Sequence, residues 1–203
     1  MNLALVDKTE KPLKGYFCIE TINNKGEVID KFEKHNLITN VARAEFAKLI
    51  AGINTAGAIN RFVMGTKGHV GSDVLTPKDQ DTGFTASVTD IFAGQENSDL
   101  GTTWNQILFT PSGNMVNTEA QNVNDGANNN STVDISITGI EQDTPTVTYT
   151  INVAQDAFNS LNDGVIYTEA GLYVDTYLIA MRTFKGKIKE SSVSFRITWS
   201  LLF

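Results

Sequence analysis

The chain has 203 residues, enough to bury roughly 70% of the surface that its unfolded form exposes, so it needs neither disulfides nor a metal ion to fold. Hydrophobic residues make up 41% of it, and 11 Phe, 5 Tyr and 2 Trp are available to fill a core. The 16 Lys and Arg are scattered among 23 Asp and Glu, giving a net charge of -7, which argues against nucleic acid as a partner.

The start of the chain indicates neither a secretory signal nor a membrane partner. Its apolar run Leu3-Ala4-Leu5-Val6 has no basic residues before it, and no stretch approaches the roughly 18 apolar residues of a membrane span. Cys18 is the single cysteine and lies in an apolar run. We expect it to be a buried, inert thiol of a protein made in a reducing cytoplasm.

The first predicted unit is a hairpin. Strands are expected at residues 16–22 and 27–32, on either side of Asn23-Asn24-Lys25-Gly26, where Asn and Gly readily take the positive φ of a tight turn. His35 follows the second strand and belongs to no recognisable catalytic motif, so we interpret it as a solvated or capping residue.

One helix is predicted, at residues 41–51. Thr39 or Asn40 is suited to cap its start and Gly52 to end it. Phe46, Leu49 and Ile50 recur near one face, and because the helix is short, packing of that face is expected to hold it.

The middle of the chain alternates strand candidates with polar segments. Strands are expected at 59–64 and 104–109, and long loops at about 66–81 and 117–131, which are rich in Gly, Asp, Thr and Asn. Gly65-Thr66-Lys67-Gly68 resembles a phosphate loop superficially but lacks its spacing, so we interpret it as a turn.

The second half is dominated by alternation with a period of two residues. The runs 133–137 and 147–153 flank turn residues at 142–145 and predict a second hairpin, and 167–184 predicts two strands around 174–176. The last strand, 193–203, alternates Val, Phe, Ile, Trp and Leu with Ser, Arg and Thr, so its apolar face needs a second layer to cover it.

Eight to ten strands and one helix predict a mainly β fold. We expect an antiparallel β-sandwich or jelly roll that forms a single domain over residues 1–203.

Little in the sequence points to catalysis or to a cofactor. No Cys or second His lies within ligand spacing of His69, and the aspartates of 73–81 lack the pattern of a calcium loop, so neither a metal nor a cofactor is predicted. Glu169 and Asp175 are conceivable as the carboxylate pair of a glycosidase, but we expect no enzyme activity. Trp104 is a candidate glycan contact, with a core or interface position as the alternative.

Three segments together resemble small structural proteins encoded among the tail and baseplate genes of tailed bacteriophages. They are residues 36–40 leading into the helix, Phe62-Val63-Met64-Gly65-Thr66, and Glu169-Ala170-Gly171-Leu172-Tyr173 with 181–184 and the closing strand 195–203. The matching order covers about 60% of the chain and leaves residues 83–130 without a counterpart.

The resemblance implies a virion component, made in the host cytoplasm, that connects tail to fibres and carries no catalytic residues. Its expected partners are copies of itself and other virion proteins, without nucleic acid or membrane. Aromatic and Arg side chains dominate such contacts, and the candidate anchors are Trp199, Phe203, Arg61 and Arg182. The alternatives are a capsid decoration protein and a carbohydrate-binding module for host surface glycans.

Overall fold

The computed structural model describes residues 13–53, 57–78, 104–111, 115–117, 120–121, 130–140, 145–159, 164–175 and 177–203. These residues form fourteen strands and one helix, which confirms the prediction of a mainly β, antiparallel sandwich with a single short helix. The elements in chain order are β1 (Lys14–Asn23), β2 (Val28–His35), β3 (Leu37–Ile38), α1 (Asn40–Ile50), β4 (Arg61–Gly65), β5 (His69–Val70), β6 (Asp73–Pro77), β7 (Trp104–Phe109), β8 (Met115–Asn117), β9 (Ala120–Gln121), β10 (Thr132–Thr138), β11 (Thr146–Val153), β12 (Val165–Val174), β13 (Tyr177–Lys189) and β14 (Val193–Leu202).

One layer is a five-stranded sheet in the order β10-β11-β14-β1-β2. All its pairings are antiparallel, and both predicted hairpins, β1–β2 and β10–β11, are present. Strand β14 occupies the centre, and its odd-numbered residues from Val193 to Leu201 are buried while the residues between them are not. The strand predicted from the period of two residues is therefore present, and the structure places it at the centre of this layer.

The other layer is a seven-stranded sheet in the order β3-β13-β12-β4-β7-β8, with β9 also paired to β7. Phe62 and Met64 of β4 belong to the core between the two layers, whereas Val63 belongs to a second apolar cluster with Tyr173 and Met181. Because neighbouring residues of a strand point to opposite faces, this second cluster marks the outer face, away from the five-stranded sheet. Strand β12 is accordingly buried along most of its length on both faces.

Part of the segment predicted as a long loop at 66–81 is a hairpin, and that prediction is wrong for residues 69–77. Strands β5 and β6 pair around Gly71, whose φ of +58° suits the turn, and the hairpin lies against β12 and β13. The hairpin was not recognisable in the sequence, because its strands are too short to show a period and the segment contains Gly and Asp, which are typical of loops. Residues 79–81 lie outside the described residues, as does most of the predicted loop at 117–131, although 120–121 form β9.

Helix α1 begins and ends close to the predicted positions. Thr39 caps it by accepting a hydrogen bond from the N–H of Ala42 at 3.2 Å, and Gly52 ends it with a φ of +67°. Ala42 is buried and Phe46 packs against the core. The rest of the apolar face is different, since Leu49 and Ile50 are largely exposed to solvent.

Candidate interaction surface

The four anchors predicted from the sequence occupy different environments, and Trp199 is removed from the set. Its side chain is 0% exposed and lies in the core between the sheets. A residue so placed has no surface to offer to a neighbouring subunit, and its role is to hold the two layers together. Alternation in the sequence showed which face Trp199 occupies but could not show what covers that face.

Arg182 makes contacts within its own chain. Its guanidinium donates a hydrogen bond to the carbonyl oxygen of His35 at 2.8 Å and lies 5.6 Å from the centroid of the Phe32 ring. Both contacts reach β2 and its end, so Arg182 links the seven-stranded sheet to the edge of the five-stranded sheet. Arg61 begins β4 and is half-buried beside Tyr173 in the sheet register.

Phe203 is the most exposed of the four predicted anchors. Its ring is 45% exposed and packs against the ring of Phe46 at 5.4 Å in a T-shaped arrangement. Leu49 and Ile50 continue this apolar area and are 56% and 88% exposed. We name these four residues, Phe46, Leu49, Ile50 and Phe203, the α1-end surface.

A cavity of about 330 Å³ opens within the α1-end surface, between the helix and the end of the sandwich. Its lining is mostly apolar, with Glu45 and Tyr149 as the residues that carry polar groups on their side chains, and the carboxylate of Glu45 forms an ion pair with Lys48 at 2.7 Å. The lining residues are Glu45, Phe46, Leu49, Ile50, Gly57, Ala58, Ile59, Val147, Tyr149, Val174, Leu201 and Phe203. The cavity is therefore suited to receive apolar side chains.

Sequence reasoning missed this surface although its residues were noted. Phe46 is followed three and four positions later by Leu49 and Ile50, a spacing that places all three near one face of the helix. The helix ends at Ile50, and Leu49 and Ile50 of its last turn are exposed, whereas Phe46 one turn earlier packs against the core. The signal was an apolar pair in the final turn, directly before Gly52.

A second group of predicted residues meets at the carboxyl of Glu169, which is buried on the outer face of the seven-stranded sheet. Glu169 is the register partner of Gly65, and its Oε1 accepts a hydrogen bond from the backbone N–H of Lys67 at 3.0 Å. Burial raises the pKa of Glu169 well above its usual value, and the Lys67 N–H and the charges of Lys78 and Lys67 oppose that effect.

The segment Gly65-Thr66-Lys67-Gly68 folds over this carboxyl, which explains its two glycines. A Cβ on Gly65 would lie 2.5 Å from the Glu169 Oε1, and a Cβ on Gly68 would lie 2.5 Å from the backbone oxygen of Thr168. The N–H of Gly68 donates to the Thr168 Oγ1 at 2.9 Å. The backbone donors of Lys67 and Gly68 are thus used by the chain's own side chains, which does not favour a phosphate site.

Glu169 and Asp175 do not form a glycosidase pair. Glu169 lies within β12 and Asp175 directly follows it, six residues later, which corresponds to about 20 Å along an extended strand. The two catalytic carboxyls of a glycosidase are only roughly 5–10 Å apart. Asp175 is exposed at the turn after β12, where it accepts a hydrogen bond from the Asn60 side chain at 2.7 Å.

The two histidines have structural surroundings. The Nδ1 of His35 lies 3.2 Å from the carbonyl oxygen of Gly15, and the Nδ1 of His69 lies 3.3 Å from the Thr168 Oγ1. Asp73 accepts hydrogen bonds from the Thr76 hydroxyl and the Leu75 N–H, which lower its pKa. Among the described residues, no group of three or more His, Cys, Asp or Glu is arranged to hold a metal ion.

Two further predictions concern single residues. Cys18 is buried, as expected, and burial raises the pKa of its thiol. Trp104 begins β7, but its side chain lies outside the described part of the structure, so the predicted glycan contact stays a prediction.

In the part of the chain that the structure describes, no helix is long and apolar enough to cross a bilayer. No family model matches the sequence, and neither the curated proteins nor the solved structures include a match to the chain.

Proposed function

We propose that this chain is a structural subunit of a tailed-bacteriophage virion, a tail or baseplate protein that connects the tail to its fibres by packing against neighbouring subunits. The observation that carries the proposal is the α1-end surface. There Leu49, Ile50 and Phe203 leave large apolar areas in solvent beside an apolar cavity. Contiguous apolar surface of this kind is typical of a site that another protein covers.

The energetic argument follows from burial. Full burial of a Leu, Ile or Phe side chain contributes about 1.5–3 kcal/mol, and the three exposed side chains are already partly covered. Covering the remainder would contribute a few kcal/mol, on the order of what a small group of contact residues supplies to an interface. Because the lining is mostly apolar and Glu45 is already paired with Lys48, the fitting partner is an apolar side chain of a neighbouring virion protein.

The placement of the three segments that resemble phage tail proteins also supports the proposal. Segment 36–40 contributes β3, which pairs with β13, and Phe62-Val63-Met64-Gly65-Thr66 contributes β4, which pairs with β12. Together with 169–173 on β12 and 181–184 on β13, these segments lie side by side in the seven-stranded sheet, whereas the closing part of the third segment lies on β14 of the five-stranded sheet. A capsid decoration protein, the alternative, would use the same kind of apolar contact with neighbouring subunits at a different location in the particle.

The test is incorporation into particles. Virions are purified from a culture that expresses the gene, and mass spectrometry measures the number of copies of the chain per particle. We expect Ile50→Lys to reduce incorporation strongly, since a charge would enter a desolvated contact. The matched control is Ile29→Lys, an exposed Ile on β2 away from the α1-end surface, which should be incorporated normally. Absence of the wild-type chain from particles would refute the proposal.

A further inference from the structure

Strand β10 is an open edge of the five-stranded sheet in the part of the chain that the structure describes. It has seven residues, of which Asp134 is the single charged one. On its inner face Val133 and Ile135 contact the core, while Ile137 is 60% exposed. Alternate backbone N–H and C=O groups of such an edge point away from the sheet and are available to another strand.

The outermost strands at the other edges of the two large sheets are either charged or short, and the two-stranded β5–β6 sheet lies against β13. Strand β2, at the opposite side of the same sheet, carries Asp30, Lys31, Glu33 and Lys34, and Lys187 reaches its Asp30. Charged edge residues prevent pairing with another chain. In the seven-stranded sheet, β3, β8 and β9 are two or three residues long, too short to support a stable ladder. Among these edges β10 alone is both long and nearly uncharged.

We propose that β10 pairs antiparallel with β10 of a second copy of this chain, about a two-fold axis that is perpendicular to the sheet and lies midway between the two copies of Ile135. Such an axis keeps the inner faces of both copies on the same side, so residues of like parity lie opposite each other. Ile135 is the middle residue of the strand, and this register alone pairs all seven residues. The resulting pairs are Ile135 with Ile135, Asp134 with Ser136, Val133 with Ile137, and Thr132 with Thr138.

The side chains fit this register. Asp134 faces Ser136 and not another carboxylate, so no like charges meet. Ile137, exposed in one copy, lies opposite Val133 of the second copy and extends the apolar core across the axis. The outcome is a continuous ten-stranded sheet made from two five-stranded sheets.

This inference goes beyond the proposed function, because the dimer forms from the isolated chain whether or not the chain is part of a virion. The β10 edge is also separate from the α1-end surface. The partner on this edge is thus a second copy, whereas the partner of the α1-end surface is another virion protein.

Disulfide trapping tests the register. Directly opposed residues of an antiparallel pair have Cα atoms about 4.5–5.5 Å apart, which suits a disulfide. Under mild oxidation we expect Ile135→Cys to form a covalent dimer in high yield. Ile137→Cys should form little, because its own counterpart lies four residues away from the opposed position, about 13 Å along the strand. Cys18 is buried and present in both variants, so any crosslinking through it would be the same in both and cannot produce a difference between them.

Analytical sedimentation gives an independent readout of the oligomeric state, without cysteine substitutions at the core residue Ile135. We expect a dimer that becomes a monomer with Ile137→Lys and persists with Ile29→Lys. A monomeric wild-type chain at about 100 μM, or equal trapping of Ile135→Cys and Ile137→Cys, would overturn the inference. A dimer lost with Ile50→Lys and kept with Ile137→Lys would also overturn it, and would assign the contact between copies to the α1-end surface.

Discussion

The indole of Trp199 packs edge-on against the ring of Phe17, with centroids 4.8 Å apart and planes at 73°. The two residues are register partners on β14 and β1, and Phe17 in turn stacks on Phe184 of the other sheet at 5.6 Å. Three aromatic side chains therefore connect the two layers at the centre of the sandwich.

The first prediction concerns this contact. Trp199→Ala should lower the free energy of unfolding by about 3–5 kcal/mol, because it removes the largest buried side chain among the described residues and leaves a cavity. Phe203→Ala, at a half-exposed ring, should lower it by about 1 kcal/mol. Urea denaturation measures both, and equal losses would contradict the assignment of Trp199 to the core and Phe203 to the surface.

The second prediction concerns the start of α1. The Thr39 hydroxyl accepts from the Ala42 N–H and donates to the carbonyl oxygen of Leu178 at 2.6 Å, so it joins the helix to β13. Thr39→Ala should lower the free energy of unfolding by about 1–2 kcal/mol, since both partners lose a hydrogen bond in a buried place. Thr39→Ser keeps the hydroxyl and should stay within about 0.5 kcal/mol of the wild type. An equally destabilised Ser variant would refute this role.

The third prediction concerns the close approach of Gly68 to β12. Gly68→Ala should destabilise the protein by about 1–3 kcal/mol, because the nearest atoms are the backbone of Thr168 and the Cβ of Glu169, which have little freedom to move. Gly71→Asn is the comparison. Gly71 has open space around it and a left-handed φ that Asn tolerates, so we expect a change within about 0.5 kcal/mol in the same denaturation assay.

The fourth prediction is a pH dependence that arises from Glu169. Its pKa in the folded protein is raised by burial, so the stability that the neutral carboxyl contributes is present below about pH 4, the unfolded value, and is lost as the pH rises through the folded pKa. Glu169→Gln stays neutral at every pH. The variant should therefore become progressively more stable than the wild type as the pH rises above about 4, measured as the difference in unfolding free energy.

Glu33→Gln provides the control of opposite sign. A hydrogen bond from Lys31 lowers the pKa of Glu33, so its contribution is present above the unfolded value and is lost as the pH falls. The difference between this variant and the wild type should run in the other direction, and weakly, because the pair is exposed. A Glu169→Gln difference that does not vary with pH would contradict the raised pKa.

Much of the fold followed from the sequence because strands with one buried face repeat with a period of two residues. Strands β10, β11 and β14 have that period and were found within a residue or two of their observed bounds. The β5–β6 hairpin has only two residues in its first strand, too few for any period to appear. Strand β13 continues to Lys189, past the predicted end at 184. The prediction stopped short because Lys187 and Lys189 are charged residues of the kind expected in solvent, whereas in the structure both are buried.

The candidate site was predictable only in part. Phe203, Leu49 and Ile50 were visible as apolar residues, but whether a residue is covered depends on where a helix ends relative to a distant layer. Trp199 and Phe203 illustrate the limit, since both lie on one alternating strand segment and only the second reaches solvent. Gly65 and Glu169 are 104 positions apart, and their contact arises from the pairing of β4 with β12.

Electron cryomicroscopy of the purified native virion tests the central claim most directly. The account predicts copies of this chain in the map, each with Leu49, Ile50 and Phe203 covered by an apolar area of a neighbouring subunit. A virion without the chain, or copies whose three side chains face solvent, would contradict it.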